Sequence, residues 1–150
     1  MTQYHGKGLV FKLDGSPGGT LRDISKHIIS VDFPRSADTV DTSTADPATN
    51  SDHKFLVGMR NATITLNMIW DDSAEASPGQ DVIFSGSLGA GSSGNTSSTF
   101  EFGPSGSTAG MVKYTGECYV TAYNTTSGIS DAVKATATLQ VTGPITRTTF

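Results

Sequence analysis

From Ala62 to Trp70 every second residue is apolar: Ala62, Ile64, Leu66, Met68 and Trp70 alternate with Thr63, Thr65, Asn67 and Ile69. Successive strand side chains point to opposite faces of a sheet, so this period of two fits a half-buried strand and no helix. The pattern returns twice near the end of the chain. Val112, Tyr114, Cys118, Val120 and Ala122 oppose Lys113, Thr115, Glu117, Tyr119 and Thr121. After a turn at Ser127-Gly128, Val133, Ala135, Ala137, Leu139 and Val141 oppose Lys134, Thr136, Thr138 and Gln140. These last two runs predict antiparallel partners. One apolar face and one hydroxyl-rich face on each strand fits antiparallel sheet, since parallel strands are buried on both sides.

Shorter strand signals complete the set. Leu9, Phe11 and Leu13 share a face before turn residues at Asp14–Gly19, and Phe100 and Phe102 share one before Gly103–Gly110. In 28–33, Ile29, Val31 and Phe33 are expected inward, with Ser30 and Asp32 outward; Pro34 ends that strand or places it at an edge. Between the first two strands, Thr20–Ser25 leaves room for one helical turn capped by Asp23 or Ser25. Asp71-Asp72 closes the central strand and offers a cap for a brief helix over Ala74–Ala76, resuming at Gln80–Leu88. Gly86–Ser98 (GSLGAGSSGNTSS) is low-complexity and reads as a linker. The expected fold is all-β, an antiparallel sandwich or barrel with one short flanking helix, in a single domain over 1–150 that ends in a short extended tail at 143–150.

Apolar residues make up 35% of the chain, below the roughly 45–50% of an average domain, although that benchmark counts Gly, present here 17 times. So thin a core predicts that neighbouring subunits supply part of the stability. The net charge is −4, and the ten Lys and Arg are scattered singly, which is unlike a surface that grips nucleic acid. The lone Cys118 excludes an internal disulfide and reads as a small buried residue. Met1–Gly8 is polar with no apolar run after it, so synthesis and folding in a cytoplasm are expected. No window approaches 18 apolar residues, and no membrane span is expected.

The residues for chemistry are missing as patterns. His5, His27 and His53 lie far apart, with no ligand spacing. Asp71-Asp72 is accounted for as a cap. Gly89–Gly94 lacks the Lys-Thr of a phosphate loop, and no serine stands in a Gly-x-Ser-x-Gly elbow. The expectation is no enzyme, no metal and no cofactor. The stretch Ala37–Lys54 (ADTVDTSTADPATNSDHK) is acidic through Asp38, Asp41, Asp46 and Asp52 and nearly devoid of bulky apolar residues, and it reads as a long loop.

In order along the chain, VFKLDG, TLRDIS, SVDFPRSADTVDTST, VGMRNATITLNMIWD, FEFGPSGSTAGMVKYTGECYVTAY and DAVKATATLQVTGPITRTTF resemble the major tail proteins, or tail tube proteins, of long-tailed, non-contractile phages. The resemblance implies a β-sandwich with a flanking helix, built into hexameric rings that stack as a hollow tube in the virion tail. Double-stranded DNA would pass through without sequence-specific binding. Partners would be further copies of the chain, a tape measure protein, and the tail terminator and distal tail proteins, with no membrane partner. Residues expected to face the lumen are Asp32, Thr63, Thr65, Asn67, Thr136, Thr138 and Gln140. The long loop at 37–54 would contact neighbouring subunits and the next ring through Asp38, Thr39, Val40, Asp41, Thr42, Asp46, Asp52 and His53. The chain departs from the family pattern in DDSAEASPGQDVIFSGSLG, where a well-formed amphipathic helix is usual. Two alternatives stand beside this reading: a monomeric β-sandwich binding or decoration module, and the inner tube of a contractile injection machine.

Overall fold

The computed structural model describes residues 3–14, 20–44, 52–73, 80–88 and 97–150. Strands β1 (Val10–Asp14) and β2 (Leu21–Asp23) precede a 3-10 turn at Ser25–His27, then β3 (Ile28–Asp32), β4 (Arg35–Asp41) and β5 (Phe55–Ile69). Helix α1 (Gln80–Leu88) is followed by β6 (Ser98–Gly103), β7 (Val112–Thr126) and β8 (Lys134–Thr149). The strands form one antiparallel sheet in the order β2-β1-β6-β7-β8-β5-β3, with β4 paired to β5 alone.

The two ends of that order, β2 and β3, are neighbours in sequence, joined by Ile24 and the 3-10 turn. So short a link spans less than ~20 Å. It therefore draws the outer edges of the sheet toward each other, and the sheet curls into a half-barrel. The junction is firmly held. Ile24 is fully buried, its N–H donates to the Phe11 carbonyl at 3.1 Å, and the Phe11 N–H donates to Ser25 Oγ at 2.9 Å. The expected helical turn is present here as Ser25–His27, after a short strand, with Asp23 Oδ1 accepting the Ser25 N–H.

The core lies on one face of the sheet. Phe11 and Leu13 of β1, Ile64, Leu66 and Met68 of β5, Phe100 of β6, Cys118 and Val120 of β7 and Ala135, Ala137 and Leu139 of β8 are all buried. Each fully buried large aliphatic side chain contributes about 1.5–3 kcal/mol. Helix α1 closes this face with Ile83 and Phe84, the latter stacked on Tyr123 at 5.4 Å. Of the two all-β architectures expected, the chain forms the curled one, and α1 replaces a second sheet.

Several local expectations are corrected. Residues 37–41 are not loop: they belong to β4, hydrogen-bonded along β5 from Arg35↔Ala62 to Asp41↔Phe55. The polar composition concealed this because a two-stranded ribbon outside the core has no buried face to mark. Residues 143–150 are not a separate tail, since β8 runs to Thr149 against β7. Gly143, at φ +71, and Pro144 sit where the register slips between Thr115/Glu117 and Thr146/Thr142, so the strand continues past a proline at a bulge. Phe150 then ties the end down: its N–H donates to the Met111 carbonyl at 3.0 Å, and its carbonyl accepts the Gly110 N–H at 3.1 Å. Two side-chain assignments also change face. Ile29 is 55% exposed because a bulge at Ile28/Ser30 turns it outward and leaves Ile28 to pack inward. A bulge between Val120 and Ala122 sends Ala122 out opposite Thr138 and brings Tyr123 in opposite Ala137. The brief helix expected at 74–76 falls outside the described residues; of its expected caps, Asp71 and Asp72, Asp71 Oδ1 accepts the Ser73 N–H at 2.7 Å.

Candidate assembly surfaces

The strands present two surfaces apart from the core. The first is a hairpin arm. Pro34 ends β3, its carbonyl accepts the Thr63 N–H at 3.3 Å, and the chain passes on to pair with the other half of β5. There β5 has left β8, whose register with it begins at Thr63↔Gln140. Every residue of β4, and β5 from Phe55 to Asn61, is exposed. Val40 (60%), Phe55 (58%), Leu56 (64%), Val57 (69%) and Met59 (84%) expose large apolar side chains on this ribbon. A two-stranded ribbon without a packed face is marginal in water, and a concentrated apolar surface of this kind is uncommon on a monomer. Gly58 lies at the bulge where the β4–β5 register shifts, close to Asp38.

Beyond the paired strands the arm is pinned by polar contacts. The Thr42 N–H donates to the Lys54 carbonyl at 2.8 Å, and the Lys54 N–H donates to Ser43 Oγ at 2.9 Å. Asp41 accepts the Ser43 N–H at 2.8 Å and lies 3.2 Å from His53 Nδ1, and its carboxyl is held below the ordinary carboxylate range, chiefly by hydrogen bonding from Ser43. Asp41, Ser43 and His53 superficially form a hydrolytic triad. Both Ser43 Oγ and Asp41 Oδ2 meet the same imidazole nitrogen, Nδ1, whereas a relay needs the acid on one nitrogen and the nucleophile on the other. The cluster is a hairpin clasp.

Of the residues expected in the assembly loop, Asp38, Thr39, Val40 and Asp41 stand on β4, Thr42 directly follows it, and Asp52 and His53 lead into β5, all exposed. Asp46 lies outside the described residues. The apolar residues that dominate the arm, Phe55, Leu56, Val57 and Met59, were missed. The signal was present: FLV breaks the alternation that begins at Ala62, and three consecutive apolar residues have no place on a ribbon with two wet faces.

The second surface is the polar face of β3, β5 and β8, turned away from the core. Asp32 pairs with Thr65, Thr63 with Gln140, Thr65 with Thr138 and Asn67 with Thr136, so all the residues expected to line a lumen share one continuous face. They are knitted together: Thr136 Oγ1 donates to Asn67 Oδ1 at 3.2 Å, Asn67 Nδ2 donates to Ser30 Oγ at 3.0 Å, and Gln140 Nε2 donates to Asn61 Oδ1 at 2.7 Å. Charges are concentrated elsewhere, over β1, β6 and β7, where Glu101 is paired with Lys12 (3.9 Å) and Lys113 (3.3 Å). Cys118 is fully buried, and burial, with Glu117 adding to it, pushes its thiol up to about 12, so it is no nucleophile at neutral pH.

No protein-family model and no curated protein sequence matches this chain. Solved structures do. A chain from the tail of an empty gene transfer agent particle, determined with C6 symmetry, superposes with a TM-score of 0.73 at 17% identity, covering 97% of this chain and 99% of that one. The SPP1 tail tube gives 0.65 at 11% identity over 99% of this chain and 80% of that one. A chain of the sheath-tube complex of an extracellular contractile injection system gives 0.66 at 13% identity over 99% and 93%. Matches that cover nearly the whole of this chain carry the curled sheet and its connections, and the chain therefore has the fold of the tail tube proteins.

Proposed function

We propose that this chain is a structural subunit of a phage-type tail tube, assembling with its own copies into stacked, six-membered rings around a channel for DNA. The observation that carries this reading is the arm: a ribbon with Val57 69% and Met59 84% exposed, on a fold shared with tail tubes. Such a ribbon gains its stability only when another subunit covers it. The hydroxyl- and amide-lined face of β3, β5 and β8 is suited to the lumen, because few charges on it would hold a passing polyanion. Tape measure, terminator and distal tail proteins would meet the inside and the two ends of such a tube, and the virion tail is its location. The inner tube of a contractile machine is the second reading, favoured by the likeness to the sheath-tube complex.

Electron microscopy of the purified chain at rising concentration, seeded with a tail initiator complex where needed, tests the proposal. Hollow tubes are expected from the native chain. Val57→Asp/Met59→Asp, which places charge on the arm without touching the core, is expected to leave folded monomers. Monomers from the native chain under every condition, seeded included, would overturn the reading; co-sedimentation of the tubes with a sheath protein would select the contractile version.

A further inference from the structure

Where β5 and β8 part beyond Thr63↔Gln140, a cleft of about 360 Å³ opens between the base of the arm and the second half of β8. Arg35 and Arg60 line it from the arm, Arg147 from β8, with Tyr114 and Pro144 in its wall. Three of the chain's ten basic residues thus converge at one place, although the sequence scatters them. All three are exposed, and among the described residues none has a carboxylate within ion-pair distance. Arg35 is held in place by aromatic rings, its guanidinium 4.8 Å from the Tyr114 centroid and 5.2 Å from that of Phe33. Stacking of this kind uses the flat face of a guanidinium and leaves its N–H edge free for an oxyanion. Strand edges border the cleft as well: β8 beyond Val141 pairs with β7 on one side, and β5 before Ala62 pairs with β4 on one side.

The same chain carries a complementary group that its own cleft cannot receive. Arg35 begins β4 and Asp41 ends it, so the far end of the arm stands roughly 20 Å from the cleft at the rise of an extended strand. That end exposes the carboxylates of Asp41 and Asp52 beside one cation, Lys54, and the paired ribbon cannot fold back on its base. A group that is complementary to a surface on its own molecule but out of reach of it makes head-to-tail contacts between copies.

We propose that the Arg35/Arg60/Arg147 cleft is the receptor for the acidic end of the arm of a second copy of this chain, with Asp41 and Asp52 meeting the guanidinium groups. This rests on the tube reading and names the surface on which the arm is received. Opposite charges at such a contact steer assembly and fix its register, while like charges block it.

Charge exchange tests it. Arg60→Glu/Arg147→Glu alone and Asp41→Arg/Asp52→Arg alone are each expected to lower the fraction of chain in tubes at least about tenfold, as expected for the loss of close charge pairs. The chain carrying all four substitutions, and an equimolar mixture of the two double variants, are expected to form tubes again. Asp52→Arg alone spares the Asp41 clasp and should show a smaller loss, so that a misfolded hairpin is not mistaken for a lost contact. Native tubes with both double variants assembling normally would overturn the proposal and leave the tube reading intact. Loss in both without recovery in either combination would also overturn it. Normal assembly with faster DNA release from the cleft variant would overturn it too and assign the arginines to phosphate instead. A native chain that never assembles would remove the tube reading and this inference together.

Discussion

The Asp81 carboxylate near the start of α1 receives hydrogen bonds from Trp70 Nε1 (3.1 Å), Tyr123 Oη (2.9 Å) and Ser85 Oγ (3.3 Å). One side chain therefore joins the helix to the end of β5 and to β7, and the Asp81 N–H adds a bond to the Asp71 carbonyl at 3.2 Å. Burial, reinforced by this hydrogen bond, raises the Tyr123 hydroxyl above its ordinary pKa and keeps it a donor. Removing the acceptor takes the Asp81 hydrogen bond from two partly buried donors, Trp70 Nε1 and Tyr123 Oη. Asp81→Ala is expected to lower stability by about 2 kcal/mol, read as a shift in the urea midpoint at unchanged slope. Tyr123→Phe removes only one of the donors and should cost less. A midpoint unmoved by Asp81→Ala would show that the helix is held by Ile83 and Phe84 alone.

At the scale of the element, β5 behaves as two strands in one. Its second half, from Ala62 to Met68, has alternate side chains buried between β3 and β8, while its first half pairs only with β4 and buries nothing. Local opening is easiest where few apolar groups are buried and backbone bonds are reached by water. In the free chain, amides of 35–41 and 55–61 are expected to exchange orders of magnitude faster than those of 63–68. In assembled tubes the two halves should converge. Equal protection of the two halves in the free chain would mean that the arm is stable by itself. The other end of β8 depends on a close approach: a Cβ at Gly103 would lie 2.6 Å from Phe150 Cε2 and 2.7 Å from the Gly106 carbonyl oxygen, so only glycine lets the Phe150 ring pack there.

For the molecule as a whole, the division of charge follows the division of surfaces. Lys12, Glu101 and Lys113 pair over β1, β6 and β7, the arm carries Asp41 and Asp52 at its end and arginines at its base, and the β3-β5-β8 face holds Asp32 and an Asp131-paired Lys134 among hydroxyls and amides. If that face lines the channel, a positive charge there would retain the polyanion. Asp32→Lys, at an exposed position, is expected to assemble normally and to slow DNA release from reconstituted particles, more so at low salt. Unchanged release in this variant and in Thr65→Lys would place the lumen on another face.

The alternating runs were enough to define the strands that build the core. Ala62 to Met68, Phe100, Cys118, Val120 and Ala135 to Leu139 point where their spacing said, because a period of two has only one way to bury its apolar half. The short helix at Gln80–Leu88 was legible from the turn residues before it, and the shared face of Asp32, Thr63, Thr65, Asn67, Thr136, Thr138 and Gln140 from the same alternation. Bulges were not legible: one inserted residue exchanged Ala122 for Tyr123, and another exchanged Ile29 for Ile28, without leaving a mark in composition. Nor was the pairing of β4, which answers to its partner strand and not to a buried face. Only the tertiary structure could gather Arg35, Arg60 and Arg147, because their meeting depends on where β5 and β8 separate. Local patterning decides which face of a strand meets the core; which distant residues become neighbours is decided by the order in which the strands pair.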